Sequence, residues 1–250
     1  MILSVENASF HYPGNHVLDN IHFKVQKGEF VAILGTNGTG KSTLLKCMNR
    51  ILPLNSGTVY IEQKCSKAHT LRELAQKLSY MEQHRVGKRM QVFDSVLLGR
   101  KPYIEWHMRD EDIQISEEAL AAMNMQDYAM RYLDELSGGE LQKVVIARTI
   151  AQQPKVMLMD EPTNHLDLKN QLEVLSTVRK MVDTRQISAI VAMHDLNLAL
   201  RYADSFIFMK DKRIHAAGGK KILTPQLVEE VYAVPVSLLH HEGYTFVLPK

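Results

Sequence analysis

Cysteine is scarce in this chain. Cys47 and Cys65 are the only two, they form no CxxC pair, and their spacing matches no metal site. A bridge between them stays open on sequence grounds, although two reduced thiols fit a cytosolic protein better. A surplus of charge is missing as well. Thirty Lys and Arg against 28 Asp and Glu leave +2, too close to balance for wrapping nucleic acid or coating an anionic membrane. No run approaches the ~18 apolar residues that a membrane span needs. The longest candidate, Ile187 to Leu200, is broken by His194 and Asp195, so a membrane, if involved, is not crossed by this chain. The stretch Met1 to Phe10 lacks a basic start and carries Glu6, which argues against a signal peptide. Internal repeats and low-complexity linkers are absent too.

What is present is an ordinary globular composition. The 250 residues are 45% apolar and 23% charged, enough for a core that stands alone. Alternating apolar and polar residues over 2–10 and 17–25 predict two strands, with a turn at Pro13-Gly14. Phe30 to Leu34 is a short apolar run of the kind buried on both faces. From Lys41, apolar residues at Leu44, Leu45, Met48, Ile51 and Leu52 predict a helix closed by Pro53. Gly57 to Glu62 reads as another strand. Thr70-Leu-Arg-Glu73 has the capping-box pattern and predicts a helix to about Leu78. Residues 94–133 are predominantly helix-forming. Val156 to Met159 and Ile187 to Met193 predict strands on either side of a helix over 168–183, and Thr224-Pro225 opens a last helix to about Tyr232. Strand and helix alternate, as in an α/β core with a parallel sheet.

Three motifs carry chemistry. Gly35-Thr36-Asn37-Gly38-Thr39-Gly40-Lys41-Ser42 fits G-x-x-x-x-G-K-[ST]. Glycines let successive backbone N–H groups turn inward around phosphate oxygens, and the helix that follows adds its positive end. Lys41 would reach the outer phosphates and Ser42 would ligate Mg²⁺, with Thr43 following in the same turn. Alone, this loop indicates only nucleoside-triphosphate binding and suits a kinase or a GTPase equally. The apolar run Val156 to Met159 delivers Asp160 and Glu161 to a strand end. There Asp160 can hold Mg²⁺ and Glu161 can orient or deprotonate a water. Without the phosphate loop such a pair is usually a solvated turn. Leu136-Ser137-Gly138-Gly139-Glu140 precedes the helical stretch 141–152 and forms a second anion site; standing alone it would be an ordinary helix cap.

Phosphate loop, Leu-Ser-Gly-Gly-Glu, Asp-Glu strand and His194 in this order resemble the ABC-type ATPases over essentially the whole chain. The resemblance implies a P-loop NTPase core with an N-terminal antiparallel β subdomain and an inserted α-helical subdomain. The core with the β subdomain would span 1–83 and 154–222, the helical subdomain about 84–153, and a C-terminal extension 223–250. It further implies ATP and Mg²⁺ as ligands and assigns roles position by position. Tyr12 would stack on adenine. Gln83 would touch Mg²⁺ or the lytic water and sense a transmembrane partner. Asp167 would cross the dimer interface, and His194 would contact the γ-phosphate. Ser137, Gly138 and Gly139 would meet the nucleotide held by a second copy of the chain, so that each chain supplies half of two composite pockets. Thr36, Asn37, Gly38 and Thr39 stand where proline and serine or alanine are commoner, and Glu82 precedes Gln83 where proline is usual. Neither departure removes a catalytic group.

Softer stretches, Leu97 to Tyr103, Met193 to Ala199 and the tail from Leu223 to Pro249, resemble importer subunits for iron–siderophore complexes, haem or cobalamin. This implies permease subunits as partners, indirectly a substrate-binding protein, no nucleic acid, and a place on the cytoplasmic face of the cell membrane. The alternative is an ABC ATPase acting on DNA or ribosomes. Against it stand a single set of motifs, no long coiled coil, and no aromatic-rich basic patch. A structural nucleotide-binding protein is a third possibility, disfavoured by the intact Glu161 and His194. Residues 83–105, near Trp106, are the expected docking surface for the permease.

Overall fold

The computed structural model describes residues 1–81, 89–164 and 166–250. Along the chain run β1 (Leu3–Tyr12), β2 (Asn15–Val25), β3 (Phe30–Leu34), α1 (Lys41–Met48), β4 (Ser56–Ile61), β5 (Lys64–Cys65), α2 (Leu71–Lys77) and β6 (Leu78–Met81). Then come α3 (Val92–Leu97), α4 (Asp110–Ala122), α5 (Gly138–Ala151), β7 (Val156–Asp160), α6 (Leu168–Arg185), β8 (Ser188–Ala192) and α7 (Leu196–Tyr202). The chain finishes with β9 (Ser205–Lys210), β10 (Arg213–Gly219), α8 (Pro225–Tyr232), β11 (Val236–His241) and β12 (Tyr244–Pro249).

The central sheet has the order β10-β9-β3-β8-β7-β6. Its strands are parallel except β10, which turns back antiparallel on β9. β3, β7 and β8 are buried at every position, as strands covered on both faces must be. Their side chains alternate between two cores. Phe30, Ala32, Leu34, Met157, Met159, Ala189 and Val191 face one with α3 to α8. Val31, Ile33, Leu158, Ile190 and Ala192 face the other, shared with α1 and the antiparallel sheet β2-β1-β4-β5. The expected N-terminal β subdomain is that antiparallel sheet, and Gly14 at φ +75 turns its first hairpin.

One expectation needs correction, and three strands of the central sheet come where none was expected. The helix from Lys41 stops at Met48 rather than reaching Leu52. Arg50 turns left-handed at φ +58 and Ile51 N–H returns to Lys46 O at 2.9 Å. That is a C-terminal reversal which satisfies the last carbonyls. The helix at Thr70 has both halves of its capping box, but Leu78 opens β6, which pairs with β7 from Leu78↔Val156 to Met81↔Met159. No turn residue separates the two elements, so the sequence carries no punctuation there. Our reading of the sequence assigns no element over 205–219, where β9 and β10 complete the sheet. Residues 94–133 contain α4 and most of α3, with 3-10 turns at 98–100, 126–128 and 133–135. This segment begins and ends at one place, where Val92 N–H meets Arg131 O and Leu133 N–H meets Met90 O, both at 2.9 Å. Cys47 and Cys65 are free thiols.

Candidate functional site

Strand order positions the site. β8 lies between β3 and β7, and all three run in one direction. Their carboxyl ends therefore bring together the loop after β3, Asp160 and Glu161 after β7, and His194 after β8, at the edge where open parallel sheets bind ligands.

The loop's geometry follows from its glycines. Gly35, Gly38 and Gly40 take φ of +147, +80 and +100. A Cβ on Gly35 would stand 2.4 Å from Met209 O, and one on Gly40 would stand 2.8 Å from Leu18 Cδ2 and 2.9 Å from Val17 O. These positions admit no side chain. Thr39 Oγ1 donates to Thr36 O at 2.9 Å and pins the loop across its own turn. Lys41 is buried, and its ammonium donates to Gly35 O at 2.7 Å and Thr36 O at 3.1 Å. Burial pulls its pKa below the usual lysine value, and the carboxylates of Glu161 and Asp160 oppose that shift. Asn15, Val17, Asn37, Gly38, Gly40, Lys41, Ser42, Thr43 and Glu161 line a cavity of about 270 Å³. Tyr12, 41% exposed and edge-on to Phe10 at 4.8 Å, pairs across the hairpin with Asn15.

Beside the loop, the Ser42 hydroxyl donates to Asp160 Oδ1 at 2.9 Å, and Tyr80 Oη reaches Oδ2 at 3.4 Å. Asp160 is only 4% exposed. Burial pushes its pKa above the carboxylate range, and Glu161 adds to that, against the hydrogen bond from Ser42. A hydroxyl and an ionisable carboxylate converging beside a phosphate cradle form a hard-oxygen donor set, and it fits Mg²⁺. Glu161 sits at φ +51 immediately past β7. Its carboxylate meets Asn164 Nδ2 through Oε2 and His194 Nε2 through Oε1. The fold thus places the acid–base candidate against the histidine expected at the γ-phosphate.

The second motif forms the start of α5. Ser137 caps the helix, accepting from Glu140 N–H at 3.3 Å, and Glu140 accepts from Ser137 N–H at 2.8 Å. The bond from the Ser137 N–H, followed by one from the Ser137 hydroxyl at 2.8 Å, holds the Glu140 carboxyl below its usual range. A Cβ on Gly138 would meet nothing within 4 Å, and one on Gly139 would meet Leu166 and Asn170 at ordinary contact distance. Ser137 and Gly138 are exposed, and neither lines the cavity at the phosphate loop. Asp167 is exposed and caps α6, accepting from Asn170 N–H at 2.8 Å. Glu82 and Gln83 lie outside the described residues.

The motif reading missed several groups around this site. Tyr80 and Asn164 orient the two acidic residues; Tyr80 sits on the unassigned β6, while Asn164 lies three residues after Glu161. Asn15 and Val17 come to the cavity through the hairpin register. Among the described residues no helix is long and apolar enough to cross a membrane.

The pattern that defines the ABC transporter family matches residues 18–164. An uncharacterized ABC transporter ATP-binding protein of Methanocaldococcus jannaschii is 50% identical over 249 residues, spanning 100% of this chain and 98% of its own. A petrobactin import ATP-binding protein of Bacillus subtilis is 33% identical, over 96% of this chain and 97% of its own. Among solved structures, an inward-facing transporter described as metal-chelate type superposes with TM-score 0.86 at 28% identity, covering 100% of this chain and 97% of that one. A dimeric ATP-binding cassette in a post-hydrolysis state with ADP and Pi has TM-score 0.78 at 25% identity, covering 87% and 98%.

Proposed function

This chain belongs to the ABC transporter family as an ATP-binding subunit, and from that premise we propose that its ATP hydrolysis drives an importer of a chelated metal or corrinoid. The class includes iron–siderophore complexes, haem and cobalamin. Two copies, arranged head to tail, would act on transmembrane permease subunits at the cytoplasmic face of the cell membrane, fed by a substrate-binding protein. The import role is supported by the petrobactin relative and by the metal-chelate transporter superposition.

One observation carries the two-chain mechanism. A Cβ on Gly138 would meet nothing within 4 Å, so packing within this fold does not require a glycine there. Close approach of a partner's phosphates does. In this mechanism Tyr12 stacks on the base, the loop from Gly35 to Thr43 cradles the phosphates, and Lys41 neutralises them. Ser137, Gly138 and Gly139 of the other copy close the pocket, with Asp167 at the seam. Ser42 and Asp160, with Gln83, would hold Mg²⁺, which when bound supplies charge neutralisation at the outer phosphates. Glu161 accepts the proton of the attacking water, and His194, in contact with Glu161, orients it and reaches the γ-phosphate. Closed and open dimers then differ in nucleotide affinity, and that difference does work on the permease.

The helical segment after β6 offers a docking face. Leu98 and Trp106 on it are exposed, Trp106 at 94%. In the same segment Phe93, Ile113, Leu120, Ala129 and Met130 line an apolar groove of about 660 Å³, with Glu117 and Glu118 also in its lining. A permease segment with apolar and basic residues fits it.

Glu161→Gln is expected to abolish turnover while preserving ATP-dependent dimers, measured by phosphate release and size-exclusion chromatography. Normal hydrolysis by that variant would overturn the assigned base. With the co-purified permease, stimulation of hydrolysis by a siderophore-, haem- or cobalamin-loaded binding protein supports the cargo class. Stimulation by a sugar or amino-acid receptor, or dependence on DNA or ribosomes, contradicts it.

A further inference from the structure

The first N–H of the phosphate loop is satisfied from the far end of the chain. Gly35 N–H donates to the Tyr232 hydroxyl at 3.1 Å across 197 residues of sequence, while Gly35 O accepts from the Lys41 ammonium at 2.7 Å. The Gly35 backbone is therefore held on both sides, by Tyr232 through its N–H and by Lys41 through its carbonyl. Met209 O closes a further direction.

Tyr232 is itself firmly placed. It is the last residue of α8, whose Leu227, Val228 and Val231 are buried. Thr224 accepts from Leu227 N–H at 3.1 Å at the start of that helix. His215 Nε2 on β10 meets Glu230 Oε2 at 2.7 Å, and Ala233 at φ +56 ends the helix. Burial pushes the phenol up to about 12, so at neutral pH it is a neutral acceptor. The family pattern stops at residue 164, and the whole segment lies beyond it.

We propose that Tyr232 is a positioning residue for the nucleotide: through Gly35, its hydroxyl sets the orientation of the phosphate loop. Gly35 has no side chain to fix it, and a buried N–H without a partner drives the backbone to find another. Loss of the hydroxyl would release the Leu34–Gly35 peptide, and through the free φ and ψ of Gly35 the next peptide, whose carbonyl anchors Lys41, would shift and spoil the preorganised cradle. The inference rests on the nucleotide-site reading above.

The test compares Tyr232→Phe with Glu230→Gln, which loosens α8 from β10 without touching the loop. Binding of a fluorescent ATP analogue to the full chain is measured with the kcat and KM of ATP hydrolysis and the melting temperature. Tyr232→Phe is expected to raise both Kd and KM about three- to tenfold with kcat within about twofold. Glu230→Gln is expected to lower the melting temperature and leave Kd unchanged. An unchanged Kd in Tyr232→Phe, or equal weakening by both variants, overturns the positioning role. Wild-type chain that binds no analogue overturns the nucleotide site itself, and this inference with it. Should Tyr232→Phe fold poorly, amide hydrogen exchange on the wild type decides. Protection of the Gly35 N–H comparable to that of β3 is expected, and exchange as fast as at Gly38 refutes the contact.

Discussion

At the residue scale, Asp160 shows how the carboxylate proposed for Mg²⁺ is placed at the expense of the fold. Its folded pKa lies above the ordinary value of 3.8, chiefly through burial. Between that value and the raised one the native chain binds more protons than the unfolded chain, so stability falls as pH rises through the window. Burial thus works against the ionised carboxylate. Asp160→Asn is therefore expected to raise the melting temperature in metal-free buffer while eliminating Mg²⁺-dependent hydrolysis; calorimetry showing the variant less stable would refute this account. Gly138 is the complementary case. Gly138→Ala meets no atom of this fold and gains helix propensity, so its melting temperature should hold or rise while hydrolysis falls at least about tenfold. Equal activity would remove Gly138 from the composite site. Legibility at this scale followed linear spacing. Gly35, Lys41, Asp160 and Glu161 announce themselves within short motifs, whereas Tyr80 and Asn15 arrive by register and strand order, which no local pattern encodes.

At the element scale, two helices share one device and separate two purposes. α2 begins with a capping box at Thr70 and Glu73, and α5 begins with the same box at Ser137 and Glu140. Replacing either cap residue by alanine should cost about 1 kcal/mol in urea unfolding. Thr70→Ala is expected to leave ATP hydrolysis intact, while Ser137→Ala should lose it as well, because only the second cap faces the proposed partner pocket. If both variants keep full activity, Ser137 is a cap and nothing more. The strands β3, β7 and β8 were readable as apolar runs feeding motifs. β6 was hidden because Lys77 and Leu78 join helix to strand with no Gly, Pro or Asn between them. α1 was overextended because Ile51 and Leu52 continue its apolar spacing past the left-handed Arg50.

At the scale of the whole molecule, the central sheet is a partition with a core on each face, and the helical segment over 92–133 shares one of those cores with the α6 and α7 side of the sheet. Helix and sheet are therefore not independently stabilised units. Past the end of α5, Gln152 donates to Leu78 O on β6 at 2.9 Å, and within the helical layer Arg100 donates to Asp112 Oδ1 at 2.9 Å and to Ala151 O at 3.0 Å, so that α4 and α5 are held together. Gly99 makes that contact possible, since a Cβ there would stand 2.3 Å from Arg148 O. Alternation made the first two strands and their turn legible, while the antiparallel subdomain they belong to came from the family resemblance. The closing third of the sheet was not, because β9 and β10 carry no functional motif to draw attention to them.

The same sheet order has a consequence for how the protein is made. β3 emerges early in synthesis, yet its two neighbours are β8 and β9, and the partner of Gly35 N–H is 197 residues downstream. At about 5–20 residues per second, Tyr232 is translated roughly 10–40 s after Gly35. For most of that interval the nascent chain carries the phosphate-binding motif on a strand whose neighbours have yet to be made. A ribosome that stalls after β9 and before α8 leaves a chain that has both strands flanking β3 and lacks the hydroxyl that holds the Gly35 N–H.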